Sequence, residues 1–288
     1  MADLGFFGKV RAIHDLIKTE LPVAAGICVL AGEVISGQPM SLERSFLGFA
    51  VGFFISGTAM MTNDYWDIEV DRINHPARPL PSGRISVNEL KILALLFTLA
   101  GLSAAMALGL IPLLFSFLIW IIGILYNWRF KESGLLGNLM VSISVASTFI
   151  LGGISVGGLY NGVLWLFGLI AFLFDLGEEI ANGAMDVEGD AKRNVKSLAR
   201  IRGKRFAINV SAVIFVGVIS LTLLPYFFGW LSLSYLISVV VLDLGVAFSV
   251  YRLKQSRTPT EGRRYTRVLY ILMVLLVLVI MIVRLFGL

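Results

Sequence analysis

Two stretches of this chain carry oxygen-bearing side chains at helical spacing. Asn63, Asp67 and Asp71 stand at i, i+4 and i+8 within Asn63–Arg72, so a continuing helix presents all three along one face. Farther along, Asp175, Glu179, Asn182, Asp186 and Asp190 follow at steps of four, three, four and four, again a single stripe. Carboxylates and amides are hard ligands that suit Mg2+, an ion that keeps several of its waters and completes its shell with substrate phosphates. Zinc or copper sites need histidine or thiolate, and here His14, His75 and Cys28 lie in separate segments without ligand spacing. The competing reading of either row is a solvated helix extension, balanced by Arg72, Arg78, Lys192 and Arg193.

The elements that position these rows belong in a membrane. Apolar residues make up 57% of the 288, charged ones 15%, and the mean hydropathy is +0.86, far from the balance of a water-soluble domain. A helix needs about 20 apolar residues to cross a bilayer, and nine stretches approach that length: Leu16–Ser36, Phe46–Met61, Leu90–Leu110, Ile111–Trp128, Leu135–Gly157, Leu159–Gly177, Phe206–Phe228, Leu231–Leu253 and Leu269–Leu285. Gly37-Gln38-Pro39, Ile111-Pro112, Gly157-Gly158 and Gly229-Trp230 punctuate them as turns. The expected fold is therefore all-α and polytopic, with nine transmembrane helices. Met1–Glu20 is charged and has no apolar segment leading to a cleavage site, so no signal peptide is expected. Cys28, the one cysteine, lies in the first span and reads as a packed thiol.

Charge gives the orientation. Of 24 lysines and arginines, all but Arg44 and Arg284 fall in the N-terminal segment or around the connections after spans two, four, six and eight. Cationic loops stay on the cytoplasmic side, which places the N-terminus and both acidic rows inside the cell and the C-terminus outside. The net charge of +5 comes from those loops, which can meet membrane lipid headgroups or an anionic substrate. No reading module for nucleic acid accompanies it. Two rows on one side of the membrane, four spans apart, disfavour the solvated-extension reading. Asp175, Glu178 and Glu179 begin after about 15 apolar residues, and acids at such depth need a watery cavity or partners.

At these residues the chain resembles the UbiA superfamily of intramembrane prenyltransferases. Asn63, Asp67 and Asp71 match the first motif of that family, and Arg78, Pro79, Leu80, Pro81, Ser82 and Gly83 match its sequel. Asp186 and Asp190, within Asp186-Val187-Glu188-Gly189-Asp190, match the second motif, and Tyr126 and Lys131 match a tyrosine and a lysine typical of the connection after span four. Gly137-Asn138, the Asp-Val-Glu-Gly-Asp core and Lys196-Ser197-Leu198 are similar to the archaeal digeranylgeranylglyceryl phosphate synthases, and chlorophyll synthases share part of that pattern. Members that prenylate hydroxybenzoate tend to carry a basic residue one turn before the motif asparagine. Here that position is Ala59, which counts against a benzoate acceptor.

The resemblance implies one domain over residues 1–288, a barrel-like bundle around a central cavity with both motifs at its cytoplasmic mouth. An internal repeat of spans one to four in spans five to eight would explain why the motifs follow spans two and six. It further implies Mg2+, as two ions bridged by the substrate diphosphate, one held by Asn63, Asp67 and Asp71 and the other by Asp186 and Asp190. Asn63, Arg72, Arg78 and Lys131 are the substrate-binding candidates, and Tyr126 and Lys131 the catalytic ones. The implied partners are an isoprenyl diphosphate, geranylgeranyl by the closer resemblance, and a lipophilic acceptor such as geranylgeranylglyceryl phosphate. No nucleic acid and no obligate protein partner are expected. An aromatic, quinone or chlorophyll-type acceptor is the alternative. From another class, an ion-coupled transporter would account for Glu33 and Asp243, acids that the prenyltransferase reading leaves without a role.

Overall fold

The computed structural model describes residues 5–192 and 194–287; Arg193 lies outside the described residues. Every regular element among them is helical. The chain runs through α1 (Phe6–Ile17), α2 (Glu20–Ser36), α3 (Leu42–Trp66), α4 (Ile68–Asn74), α5 (Val87–Leu108) and α6 (Leu110–Leu125) to a π-helical turn, Tyr126–Phe130. It continues through α7 (Leu135–Ser155), α8 (Gly162–Met185), α9 (Val187–Lys192), α10 (Leu198–Arg202), α11 (Lys204–Phe227), α12 (Leu233–Gln255) and α13 (Pro259–Phe286).

Local chemistry sets many of these boundaries. Ser41 caps α3, Asn161 accepts from Val163 and Leu164 at the start of α8, and Ser86 with Glu89 forms a reciprocal capping box on α5, each satisfying N–H groups that a helix start leaves open. α13 begins with capping Thr258 and Pro259 in its first turn, where proline's missing N–H costs nothing. This extends the last apolar run ten residues towards the N-terminus of the Leu269–Leu285 span, because Glu261, Arg263 and Arg264 are compatible with helix although not with lipid. Similarly, α3 outruns the Phe46–Met61 stretch at both ends.

Among the described residues, seven helices are long and apolar enough to cross a membrane, or eight if α1 and α2, bent by 57° at their junction, form one broken span. The expected span from Leu16 is thus interrupted: Lys18 takes a left-handed conformation and α1 departs as a separate amphipathic helix. α8 is also long, at 24 residues, but carries Asp175, Glu178 and Glu179 inside it, and these lower its apolar content. Each long helix packs on the next in the chain, and α13 returns to both α8 and α2. α2 also packs on α7; a methyl group on Gly32 or Gly152 would lie 1.9 Å from a carbonyl of the other helix, so small residues permit the contact, as in lipid-embedded helix pairs. Leu95, Leu99, Met106, Leu114, Val213, Val241 and Leu244 face outwards, each more than half exposed, a surface suited to hydrocarbon rather than water.

Candidate active site

Both acidic rows sit where a long helix breaks and restarts. α3 ends at Trp66, Asp67 leaves helical geometry with φ −88° and ψ 2°, and α4 begins at Ile68. In the same way α8 ends at Met185, Asp186 has φ −123° and ψ 28°, and α9 begins at Val187. The hydrogen-bond ladder nevertheless runs through the first break, with Asp67 N donating to Asn63 O at 3.0 Å and Asp71 N to Asp67 O at 2.8 Å. The i, i+4, i+8 backbone spacing of Asn63, Asp67 and Asp71 is therefore kept across a break in the helix. The second break matches it: Asp190 N donates to Asp186 O at 2.8 Å. Burial matches as well, since Asp71 and Asp190 are 3% and 6% exposed, while Asp67 and Asp186 are more open. Gly189 has a spatial reason, because a methyl group there would lie 2.5 Å from Asp186 Oδ1.

The connection between the π turn and α7 joins the two rows. The extra residue of a π turn shifts the register of the residues beyond it, a device found at functional sites. Here it places Asn127 on α3, donating to Ala59 O and Thr62 Oγ1 at 2.9 Å each. It also places the Lys131 ammonium on Asp67 Oδ2. The Asn63 amide satisfies one of two sets of partners: its nitrogen on Asn127 Oδ1 at 3.3 Å, or, turned over, its oxygen on Lys131 Nζ at 2.9 Å and its nitrogen on Asp67 Oδ2 at 3.2 Å. Immediately beyond Lys131, Glu132 O accepts from Lys196 N at 2.9 Å. Gly134 follows with φ +70°, its α-carbon so close to Lys196 that a methyl group would lie 1.8 Å from the Lys196 carbonyl oxygen. Four residues thus carry the chain from the first aspartate pair to the segment that packs against the second.

Cations stand on each carboxylate of the first row. Arg78 Nη1 donates to Asp71 Oδ2 at 2.6 Å and lies 3.9 Å from buried Asp64, which Lys18 reaches at 2.7 Å. A cleft of about 480 Å³ opens beside Arg78, bordered by Asn74–Pro79, Asp15 and Arg84. On the second row Arg263, from the second turn of α13, donates to Asp186 Oδ1 at 3.1 Å and to Met185 O at 3.3 Å. Arg200 meets the backbone carbonyl of Asp190 at 3.2 Å.

Of the residues singled out in the sequence, Asn63, Asp67 and Lys131 come together, as do Asp71 and Arg78. Tyr126 opens the π turn, half-buried. Arg72 instead pairs with Glu69 at 2.7 Å on an exposed face of α4. Asp175 accepts from Ser142 at 2.7 Å. Glu33 accepts from Ser45 at 2.6 Å and Ser155 at 3.3 Å, and Asp243 from Thr222 at 2.9 Å, so hydroxyl partners account for both outlying acids. Sequence reasoning missed Lys18, Asp64, Asn127, Arg200 and Arg263. Asn127 carries a signal, being an amide at the end of a strongly apolar run; Arg263 carries none, standing 77 residues from Asp186.

Among the described residues no three acidic, histidine or cysteine side chains gather into an ion site by themselves. The donor set nevertheless fits Mg2+. Each row offers hard oxygens in a pair, incomplete for a protein-only cage and matched to an ion that shares its shell with water and phosphate. Asp64, beside Asn63 but outside both rows, keeps its Oδ2 buried without a hydrogen-bond partner.

Residues 21–273 match the UbiA prenyltransferase family. A digeranylgeranylglyceryl phosphate synthase of Sulfolobus acidocaldarius is 31% identical over 265 residues, 91% of this chain and 95% of that protein. A solved structure concerned with digeranylgeranylglyceryl phosphate synthase in membranes superposes with a TM-score of 0.85 at 28% identity, covering 95% of this chain and 98% of that one. A UbiA homolog from Archaeoglobus fulgidus bound to GPP and Mg2+ shares the fold at a TM-score of 0.66 and 20% identity, covering 93% and 99%. On the family match across most of its length, with the two aspartate pairs on matching helix breaks, the chain belongs to the UbiA prenyltransferase family, a family of membrane-embedded enzymes.

Proposed function

We propose that this protein transfers a geranylgeranyl group from its diphosphate to geranylgeranylglyceryl phosphate, in the making of archaeal ether lipids. The observation that carries this reading is the connection Lys131–Gly134, which touches the first aspartate pair at one end and the segment packed on the second pair at the other. Two carboxylate pairs so linked suit one substrate with two phosphates. The similar synthases supply the donor and acceptor classes. The likeness to a protein bound to GPP and Mg2+ supports the ion.

In this mechanism Asn63, Asp67 and Asp71 would hold one Mg2+, and Asp186 with Asp190 a second. When bound there, such ions would help neutralise the negative charge that develops on the departing diphosphate. Lys131, whose ammonium rests on Asp67, exchanges that carboxylate for a phosphate oxygen when the substrate arrives. Arg78 stays on Asp71 and directs its remaining donors to the same phosphates, a planar fork that suits them. Arg72 would have to leave Glu69 to take part. Tyr126 turns its ring to the allylic carbon, where its π face shields developing positive charge. The prenyl tail lies among nine membrane-crossing helices, counting α8 and the bent α1/α2 pair as spans, arranged as a barrel about a central cavity that excludes water from the cation. Both motifs face the cytoplasm, with the C-terminus outside, and residues 1–288 act as one domain whose second four-helix unit repeats the first.

The reading is tested by incubating the purified protein with geranylgeranyl diphosphate and a panel of acceptors (geranylgeranylglyceryl phosphate, hydroxybenzoate, a quinol and a chlorophyllide), followed by mass analysis. The ether of the glyceryl phosphate is expected as the main product. A benzoate or chlorophyllide product in its place overturns the acceptor assignment and leaves the family chemistry standing.

A further inference from the structure

We propose that Lys18 is a positioning residue for the first aspartate pair: by balancing Asp64 it leaves the Arg78 guanidinium on Asp71. Lys18 stands at the elbow between α1 and α2 with φ 50° and ψ 59°, a left-handed conformation that an L-residue adopts only against steric cost and that glycine would take freely. Lysine in that place needs a reason beyond the turn. Its side chain supplies one, reaching across 46 positions in the chain to Asp64 Oδ1 at 2.7 Å.

Asp64 is 2% exposed, adjoins the motif residue Asn63, and has its second oxygen without a partner. Arg78 Nη1 faces both Asp64, at 3.9 Å, and Asp71, at 2.6 Å. One guanidinium therefore stands between two buried carboxylates, and the distances show that it serves Asp71. Removing one partner from a buried ion pair leaves an uncompensated charge, which is strongly unfavourable. Without Lys18 the nearest cation able to relieve Asp64 is Arg78. The guanidinium then swings onto Asp64, Asp71 loses its partner, and the diphosphate loses a cation. Lys18 acts on the site through Asp64 and Arg78, with no contact to substrate. The binding consequence rests on the prenyl-diphosphate reading; the side-chain rearrangement does not.

The test compares K18M, K18R and K18M/D64N with the unaltered protein in lipid nanodiscs. The structure of substrate-free K18M should show Arg78 closer to Asp64 than 3.9 Å and drawn away from its 2.6 Å contact with Asp71. Titration with a thiolo analogue of geranylgeranyl diphosphate plus Mg2+ should give about tenfold weaker binding for K18M, with KM rising in proportion and kcat changing less, as for a lost binding interaction. K18R and K18M/D64N should bind within about threefold of the unaltered protein, because in the first a cation remains and in the second nothing draws Arg78 away. An unmoved Arg78 with full affinity in K18M, or a double variant no better than K18M, overturns the proposal. If K18M fails to fold, the double variant decides: native affinity supports the proposal and tenfold weaker binding overturns it. If the unaltered protein binds no isoprenyl diphosphate, the transferase reading fails, while the position of Arg78 in K18M still decides the role of Lys18.

Discussion

Asp67 and Asp186 occupy equivalent places, each the single non-helical residue between a long helix and a short one, each partly exposed and each held by a cation from elsewhere in the chain. If both act on one departing diphosphate, replacing either by alanine should lower kcat by at least about 10²-fold, as when a preorganised electrostatic group is lost. The double variant should be little worse than the worse single one, because groups acting as a unit are non-additive. Multiplicative losses in steady-state kinetics would show two independent sites. Glu33 and Asp243 provide the contrast, since each is satisfied by serine or threonine hydroxyls away from both pairs. E33Q and D243N should keep kcat within about threefold, and an essential role for either would revive the carrier chemistry. The acidic rows were legible in the sequence because helical spacing is a local property. Their cations were less so: Arg72 and Arg78 lie near the same row, yet Arg78 reaches Asp71 and Arg72 turns to Glu69, a choice made by the loop between them.

At the scale of elements, the π turn and the connection behind it govern the site. Asn127 buries an amide that makes two hydrogen bonds to α3. Its replacement by leucine should cost about 1–3 kcal/mol by leaving the Ala59 carbonyl and Thr62 hydroxyl with fewer partners, read as a lower unfolding midpoint in detergent. The same change should depress turnover further, by releasing the register that brings Lys131 to Asp67. G134A is the sharper disruption, since its methyl group would overlap the Lys196 carbonyl and its backbone is left-handed. A strained residue of that kind costs about 1–3 kcal/mol before the overlap is counted, so thermal unfolding should show a clear loss and activity should fall with it. A stable, fully active G134A would mean that the link between the two rows is unimportant. Sequence periodicity found the long helices but not the π turn, because one extra residue in a turn leaves the apolar pattern of Leu110–Leu125 unchanged. It also drew α1 and α2 together at Leu16, since hydropathy does not register a 57° bend.

At the scale of the whole molecule, the distribution of charge predicts which side each connection faces. With Cys28 replaced, cysteines introduced at exposed Ser82 and Thr260 should react with an impermeant thiol reagent when the cytoplasmic face is open, and one at exposed Tyr160 when the outer face is. Labelling of Ser82→Cys from outside sealed cells would invert the topology. Ser197, although on the expected cytoplasmic side, is 7% exposed and is unsuitable as a reporter. The all-helical class was fixed by composition, whereas the closure of α13 against α2 and α8, which brings Arg263 to Asp186, depends on packing between distant segments and has no sequence period to announce it. The measurement that tests the central claim most directly is formation of the prenyl ether by purified protein from geranylgeranyl diphosphate and geranylgeranylglyceryl phosphate, first in rigorously metal-free buffer with EDTA and then with excess Mg2+. Two oxygen-ligand rows acting on one diphosphate predict no product in the first condition and restored product in the second; full transfer without metal would contradict them.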